Sequence, residues 1–278
     1  MGPLSLAYLT VDGADPVGHV EAAAAAGFEL AGLRITGPSQ LRQRVPVIGN
    51  AALLRATKDA LKRTGVRVLD AEVLTLAPEI EATAYAPFLE TAAELGARLV
   101  QVVGEDPDPR RAADRLAALC DAAAAFRLRI AVEFMRFRAT SSMADAQALL
   151  RRAGRANAGI LVDALHLARS GGTPADVAAL RPETVALMQL CDAPAASPPP
   201  GDLVTEAREG RLHPGDGDLP LDALLDALPP ETPISVEVPD RSATGSAAER
   251  AKRAGDAARR FLDGYRARRW ARSARRLV

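Results

Sequence analysis

The sequence predicts a single (β/α)8 barrel over residues 1–278, and three observations carry that prediction. Short β-prone runs alternate with helical patterns eight times along the chain, which argues for parallel strands joined by crossover helices. The units are roughly 35 residues long, and eight of them at this length suit a closed barrel better than an open doubly wound sheet. The glycine-spaced fingerprint that often opens a doubly wound sheet is missing, because Gly13 follows the first strand without further spaced glycines.

Each element has its own signal. Leu4–Leu9 reads as the first strand, and Asp15-Pro16 opens a helix with a cap and a proline at its first position, closed by Gly27. Leu30–Ile35 is the second strand, ending near Arg34. A Pro- and Gly-punctuated loop follows, and Asn50 starts a helix that stops at Gly65. Val66–Leu74 is the third strand, Ala84–Leu95 a helix closed by Gly96, and Leu99–Val103 the fourth strand. Asp108-Pro109 repeats the cap-plus-proline opening for a helix reaching Ala125. The fifth strand runs from Arg129 to Glu133, and Ser142 caps a helix ending near Gly154. The sixth strand ends at Asp163, Thr173-Pro174 opens a short helix to about Leu180, and Val185–Leu190 is the seventh strand. A long loop rich in Pro, Gly and charge spans Asp192 to Asp218. Leu219–Leu228 is helical, Pro233–Val238 is the eighth strand, and the rest from about Ala247 is one helix, with residues 249–278 forming the last helix and a basic extension.

The strand ends carry the chemistry. Glu133, Asp163, Gln189 and Glu237 each close an apolar run in strands five to eight. A buried carboxylate is costly unless it is paired or bound to a metal. Alternation puts Ala131 with Glu133, Leu161 with Asp163, Leu187 with Gln189, and Ser235 with Glu237 on the inward face. In such a barrel the active site forms at the C-terminal ends of the strands. Three carboxylates and an amide oxygen are a hard, all-oxygen set that favours one divalent ion, Mn²⁺ or Mg²⁺ before Co²⁺ or Zn²⁺. Without a cation at least one of the acids should keep its proton. The bland alternative for each is a strand-end acid paired with an arginine.

Three more candidates lie around that point. His166 follows Asp163 by three residues, within reach of a bound substrate. Arg211, in the glycine-rich loop after strand seven, carries a planar fork suited to a carboxylate or phosphate. Arg34 reads either as an anion or hydroxyl clamp or as a snorkelling core-edge residue. Glu105 and Asp106 also follow a strand but look like helix-capping acids, and His19 reads as structural.

Composition narrows the partners. Hydrophobic residues make up 48% and charged residues 25% of the chain, with a formal net charge of zero, so no global field favours nucleic acid or an anionic membrane. The basic segment with Trp270 near the C-terminus reads as an amphipathic last helix in preference to a nucleic-acid stripe. Cys120 and Cys191 are expected as buried thiols. No leader or membrane span is read, and the expected location is cytoplasmic. Oligomeric state stays open, with an isologous homodimer the commonest outcome for such chains.

Val-Glu-Phe at Glu133, Val-Asp-Ala-Leu-His from Val162 to His166, Gln-Leu-Cys-Asp-Ala-Pro from Gln189, the Arg211–Gly217 loop and Val-Glu-Val-Pro around Glu237 together resemble the sugar phosphate isomerase/epimerase superfamily of xylose isomerase-like TIM barrels. The resemblance implies metal ligation by Glu133, Asp163, Gln189 and Glu237, and substrate contact by His166. It implies a small polyhydroxylated carbonyl substrate, a sugar or sugar phosphate, reacting through a metal-stabilised enolate. Glu133 or Glu237 would take the proton α to the carbonyl. The other glutamate returns a proton in an isomerase or epimerase, the first expectation; in a dehydratase of the 3-dehydroshikimate or inosose type a β-hydroxyl leaves, with His166 as acid or base. Many epimerases of the superfamily have a histidine where Gln189 stands, and glutamine followed by Asp-Ala-Pro is closer to the dehydratase branch. A barrel without activity and an apurinic-site endonuclease rank last, the latter because its several-histidine metal cluster exceeds the three histidines of this chain.

Overall fold

The computed structural model describes residues 2–35, 46–242 and 244–275. Eight parallel strands, β1 (Leu4–Leu6), β2 (Leu30–Arg34), β3 (Arg67–Leu76), β4 (Leu99–Gly104), β5 (Arg129–Glu133), β6 (Ala158–Asp163), β7 (Val185–Leu190) and β8 (Ile234–Val236), pair in chain order. β8 pairs back onto β1, with Ser5 beside Ser235, and closes the barrel. The helices are α1 (Pro16–Ala25), α2 (Ala51–Thr64), α3 (Ala86–Glu94), α4 (Pro109–Ala124), α5 (Met143–Ala153), α6 (Ala164–Arg169), α7 (Pro174–Ala178), α8 (Leu203–Glu209), α9 (Leu221–Ala227) and α10 (Ala247–Arg275).

The caps read from the sequence set the helix starts. Asp15 accepts from the Gly18 amide at 2.7 Å, Asn50 from Leu53 at 3.0 Å, and Asp108 from Arg110 and Arg111. Ser142 caps α5, and Thr173 forms a reciprocal capping box with Asp176. Each supplies a partner to an amide that the first turn leaves unpaired.

Side-chain alternation along the strands makes two cores. Outward residues such as Leu33, Val100, Val132, Ile160 and Met188 pack with the helices in one large cluster. Inward, Leu30, Leu69, Leu99, Ala131, Leu161, Ala186 and Leu187 form a separate apolar plug at the N-terminal end of the barrel. One pleat further on, the inward positions become Gly32, Gln101, Glu133, Asp163 and Gln189. Bulges at Ala31/Gly32, Ala71/Leu74 and Ile160/Leu161 shift the register around the ring.

The structure departs from the sequence reading in several places. The first strand stops at Leu6, and Tyr8–Val11 forms a 3-10 turn. Thr10 causes this: its hydroxyl donates to the Val236 carbonyl at 3.0 Å and accepts from the Val238 amide at 2.9 Å, pulling the chain across the barrel mouth. Strand three continues two residues past the expected Leu74, paired to β4 through its bulge. The eighth strand ends at Val236, so Glu237 stands just beyond it. The expected loop Asp192–Asp218 contains α8, and α6 begins directly on Asp163. Most of the expected loop after strand two, residues 36–45, lies outside the described residues. Among the described residues no helix is long and apolar enough to cross a membrane.

Candidate active site

Glu133 and Asp163 are the last residues of β5 and β6, and Gln189 is the last inward residue of β7. Asp163, Gln189 and Ser235 sit side by side in register across β6, β7 and β8. Asp163 also caps α6, its Oδ1 accepting from the His166 amide at 2.8 Å. One carboxylate therefore ends a strand, starts a helix and turns the imidazole back over the barrel. Glu133, Asp163, His166, Gln189, Arg211 and Glu237 are all buried.

Donor atoms of Glu133, Asp163 and His166 lie within 4.8 Å of one another. His166 Nε2 is 3.7 Å from Glu133 Oε1. Arg211 joins the rest: its guanidinium donates to Asp163 Oδ2 at 2.5 Å, lies 3.1 Å from Glu237 Oε2 and 3.4 Å from His166 Nε2, while its Nε donates to the Ala207 carbonyl at 2.9 Å. The sequence placed Arg211 as a substrate clamp; here it is buried and holds two site carboxylates.

Burial is the first cause of the unusual protonation behaviour. It pushes Glu133 well above the ordinary glutamate range, and the charges of Glu237 and Asp163 push the same way. Glu237 rises to about 7, burial outweighing Arg211. Burial also opposes the charge on Asp163, but Arg211 and the hydrogen bonds from His166 and Arg211 overcome it and hold Asp163 low. His166 falls to about 4 through burial and is neutral at neutral pH.

The site opens into a cavity of about 670 Å³, whose lining includes the apolar residues Leu9, Val73, Val103, Met135 and Phe137. Phe137 meets the His166 ring edge-on, with centroids 5.7 Å apart. Across the mouth Arg34 pairs with Glu72 at 2.9 Å and stacks 4.5 Å over the Tyr8 ring, so it lines the cavity without joining the Glu133 cluster. Glu105 pairs with Arg138, and Asp106 receives two bonds from Arg111, both of 2.6 Å. His19 is structural, with Nε2 3.1 Å from the Leu6 carbonyl, and both cysteines are buried and free.

Three residues of this region were missed by the sequence reading. Glu72 also accepts from the Tyr8 amide at 3.1 Å, and Asp70, deeper in the barrel, accepts from Gln101 at 2.7 Å. The signal is present: Asp70 and Glu72 are acids in a strand that, past Arg67, is otherwise apolar except for Thr75, the same feature that singles out Glu133. Asp192 is the third. Buried, it accepts from the Ala193, Gly215 and Leu219 amides and so folds the loop that carries Arg211. Gly217 passes so close that a Cβ there would lie 2.5 Å from the Ala193 carbonyl and from Asp192.

The residues fit a divalent cation on two grounds. Gln189 Oε1 is buried and accepts no hydrogen bond among the described residues, an orphaned acceptor of the kind a cation satisfies. Three buried carboxylates face a single guanidinium, and the excess negative charge matches two positive charges.

Residues 20–264 match the profile of the xylose isomerase-like TIM barrels. The chain belongs to that family. A 3-dehydroshikimate dehydratase of Pseudomonas aeruginosa is 34% identical over 138 residues, 48% of this chain but 21% of that protein's length. Among solved structures, the IOLI protein with a bound zinc atom superposes with a TM-score of 0.79 at 18% identity, covering 95% of this chain and 99% of that one. A D-allulose 3-epimerase from Methylomonas sp. superposes with a TM-score of 0.68 at 15% identity, over 95% and 97% of the two chains. At such identities the superpositions speak for the fold.

Proposed function

We propose that the protein is a divalent-metal-dependent lyase that removes water from a polyhydroxylated carbonyl compound of the 3-dehydroshikimate type. The observation that carries this reading is an asymmetry between the two glutamates. Glu237 is ion-paired to Arg211, whereas Glu133 faces the neutral His166 at 3.7 Å. An elimination needs one acid–base pair on one face of the substrate; an epimerisation needs a free group on each face. The similarity to the Pseudomonas dehydratase supports the same choice.

Glu133, Asp163, Gln189 and Glu237 would hold the metal, with His166 the remaining donor of the cluster. When bound, such an ion stabilises negative charge developing on a substrate oxygen; the zinc in the IOLI structure supports a divalent ion here. With a bound cation offsetting the neighbouring carboxylates, Glu133 would be ionised and would take the proton α to the carbonyl. It would hand that proton to the neutral His166 at 3.7 Å, and the imidazole would relay it to the departing β-hydroxyl, which leaves as water, so that Glu133 and His166 both return to their starting states and protons and charge balance. Arg211 keeps Asp163 ionised and fixes Glu237. Phe137 and Met135 give the cavity apolar surface, with Phe137 edge-on to His166.

A second reading, isomerase or epimerase, draws on Glu237, whose pKa near 7 suits a second acid–base group once it is freed from Arg211. One experiment separates the two. With Mn²⁺ present, 3-dehydroshikimate is followed for the ultraviolet absorbance of the aromatic ring that dehydration creates, and D-allulose in deuterated water for label at the carbon beside the carbonyl. Absorbance without label supports the lyase. Label without absorbance replaces it by the epimerase, and neither signal ends the reading for both compounds.

A further inference from the structure

Six arginines line the cavity: Arg34, Arg138, Arg208, Arg211, Arg241 and Arg250. Four have carboxylate partners, namely Glu72, Glu105, the Asp163–Glu237 pair and Glu209. Arg250 donates to the Asp12 carbonyl at 3.0 Å. Arg208, in the last turn of α8, has no hydrogen bond and no ion pair among the described residues; the adjacent Glu209 is 2.7 Å from Arg241 instead.

We infer that Arg208, with Arg138 across the rim, is the subsite that takes the substrate's carboxylate, on the edge away from its reacting carbonyl. This rests on the lyase reading and adds to it the residues that meet the charged edge of the substrate. Three cations converge on the place. Burial lowers the pKa of both Arg138 and Arg208, and each also feels like charge, Arg138 from Arg208 and Arg208 from Arg34, with Glu209 offsetting part of the effect on Arg208. An anion between them relieves that repulsion. A guanidinium fork matches a planar carboxylate through two parallel hydrogen bonds. One cation without a partner matches a singly charged carboxylate better than a phosphate dianion. Leu9, Val73, Val103, Met135 and Phe137 line the same cavity and offer apolar surface to a carbon skeleton whose charged edge meets Arg208. Arg208 sits on an exposed helix end, so replacing it leaves the barrel core untouched.

The test is calorimetric titration of the Mn²⁺-loaded protein, as wild type, Arg208→Gln and Arg208→Lys, with 3-dehydroshikimate, 3,4-dihydroxybenzoate, inorganic phosphate and neutral D-allulose. The expected result is carboxylate binding that weakens on the order of tenfold to a hundredfold in Arg208→Gln. Arg208→Lys should recover part of it, and any D-allulose binding should be unchanged. Where turnover is measurable, Arg208→Gln should raise KM and leave kcat near wild type. Equal carboxylate affinity in wild type and Arg208→Gln, or no carboxylate binding by wild type, overturns the subsite. Phosphate binding tighter than carboxylate binding, and lost in Arg208→Gln, overturns the carboxylate assignment. Arg208-dependent binding without dehydration leaves the subsite standing and removes the lyase reading. Dehydration with unchanged KM in Arg208→Gln does the reverse.

Discussion

Leu30, Leu69, Leu99, Leu161 and Leu187 fill one end of the barrel interior with hydrocarbon. Two residues further along three of those strands, Gln101, Asp163 and Gln189 take the same inward direction, and Glu133 joins them after Ala131. The leucine end is stabilised by removing apolar surface from water. The other end buries carboxylates at a cost that burial itself imposes, visible in the raised pKa values of Glu133 and Glu237. The contrast teaches that the plug and the outer core supply the stability, and the mouth draws on it to hold groups in unfavourable protonation states.

Substitutions at the two ends should therefore separate activity from stability. The largest effect is expected at the mouth: Glu133→Gln should lower kcat by about 10²- to 10⁴-fold. In the metal-free protein its melting temperature should equal or exceed that of wild type, because a buried ionisable group has gone. A clear fall in metal-free stability would break the contrast. At the plug, Leu161→Ala should cost about 2–5 kcal/mol in denaturant unfolding while the folded fraction keeps near-normal kcat. Loss of kcat without loss of stability would mean that the plug serves the chemistry directly.

The pH dependence sharpens the same point. Burial raises the Glu237 carboxyl to about 7 in the folded chain, above the ordinary glutamate value of 4.5. Between those values the folded state holds a proton that the unfolded state has released, so metal-free stability should fall as pH rises through this window. Thermal melts from pH 4.5 to 8 check it, and added Mn²⁺ should flatten the slope by replacing the proton as counter-charge. A metal-free melting temperature that climbs across this range would contradict the assignment. The smallest effect is expected away from both regions: Trp270→Ala, on an exposed face of α10, should shift stability by no more than about 0.5 kcal/mol.

The sequence made the barrel legible because its signals are local. Asp15, Asn50, Asp108, Ser142 and Thr173 announce helix starts within a turn of themselves, and period-two alternation orients Glu133, Asp163 and Gln189 without knowledge of their neighbours. What escaped depends on contacts distant in the chain or on broken periods. Strand one ends early because Thr10 bonds to residues 226 and 228 positions away. Asp70 and Glu72 were overlooked because the bulges of β3 interrupt its alternation. α6 hid because its cap, Asp163, already served as a strand end, and α8 because Pro198–Pro200 and Gly201 before it read as loop. The part Arg211 plays is half visible in the sequence: its glycine-rich loop stands out, but its direction toward Asp163 depends on Asp192 folding that loop.

The segment between Asp192 and Asp240 is fastened at both ends of its inner half. Antiparallel bridges join Asp192 to Leu212 and Gly210 to Asp240, so Arg211 is pinned between β7 and the residues that follow β8. Ala196 to Asp202 lie outside those two clasps on the surface, whereas Glu206 is tied to Arg169 and the Ala207 carbonyl holds Arg211 Nε. For protein engineering this makes the short outer stretch an exchangeable cassette: its length and side chains can be varied while the clasps and Ala207 keep Arg211 in register with Asp163 and Glu237.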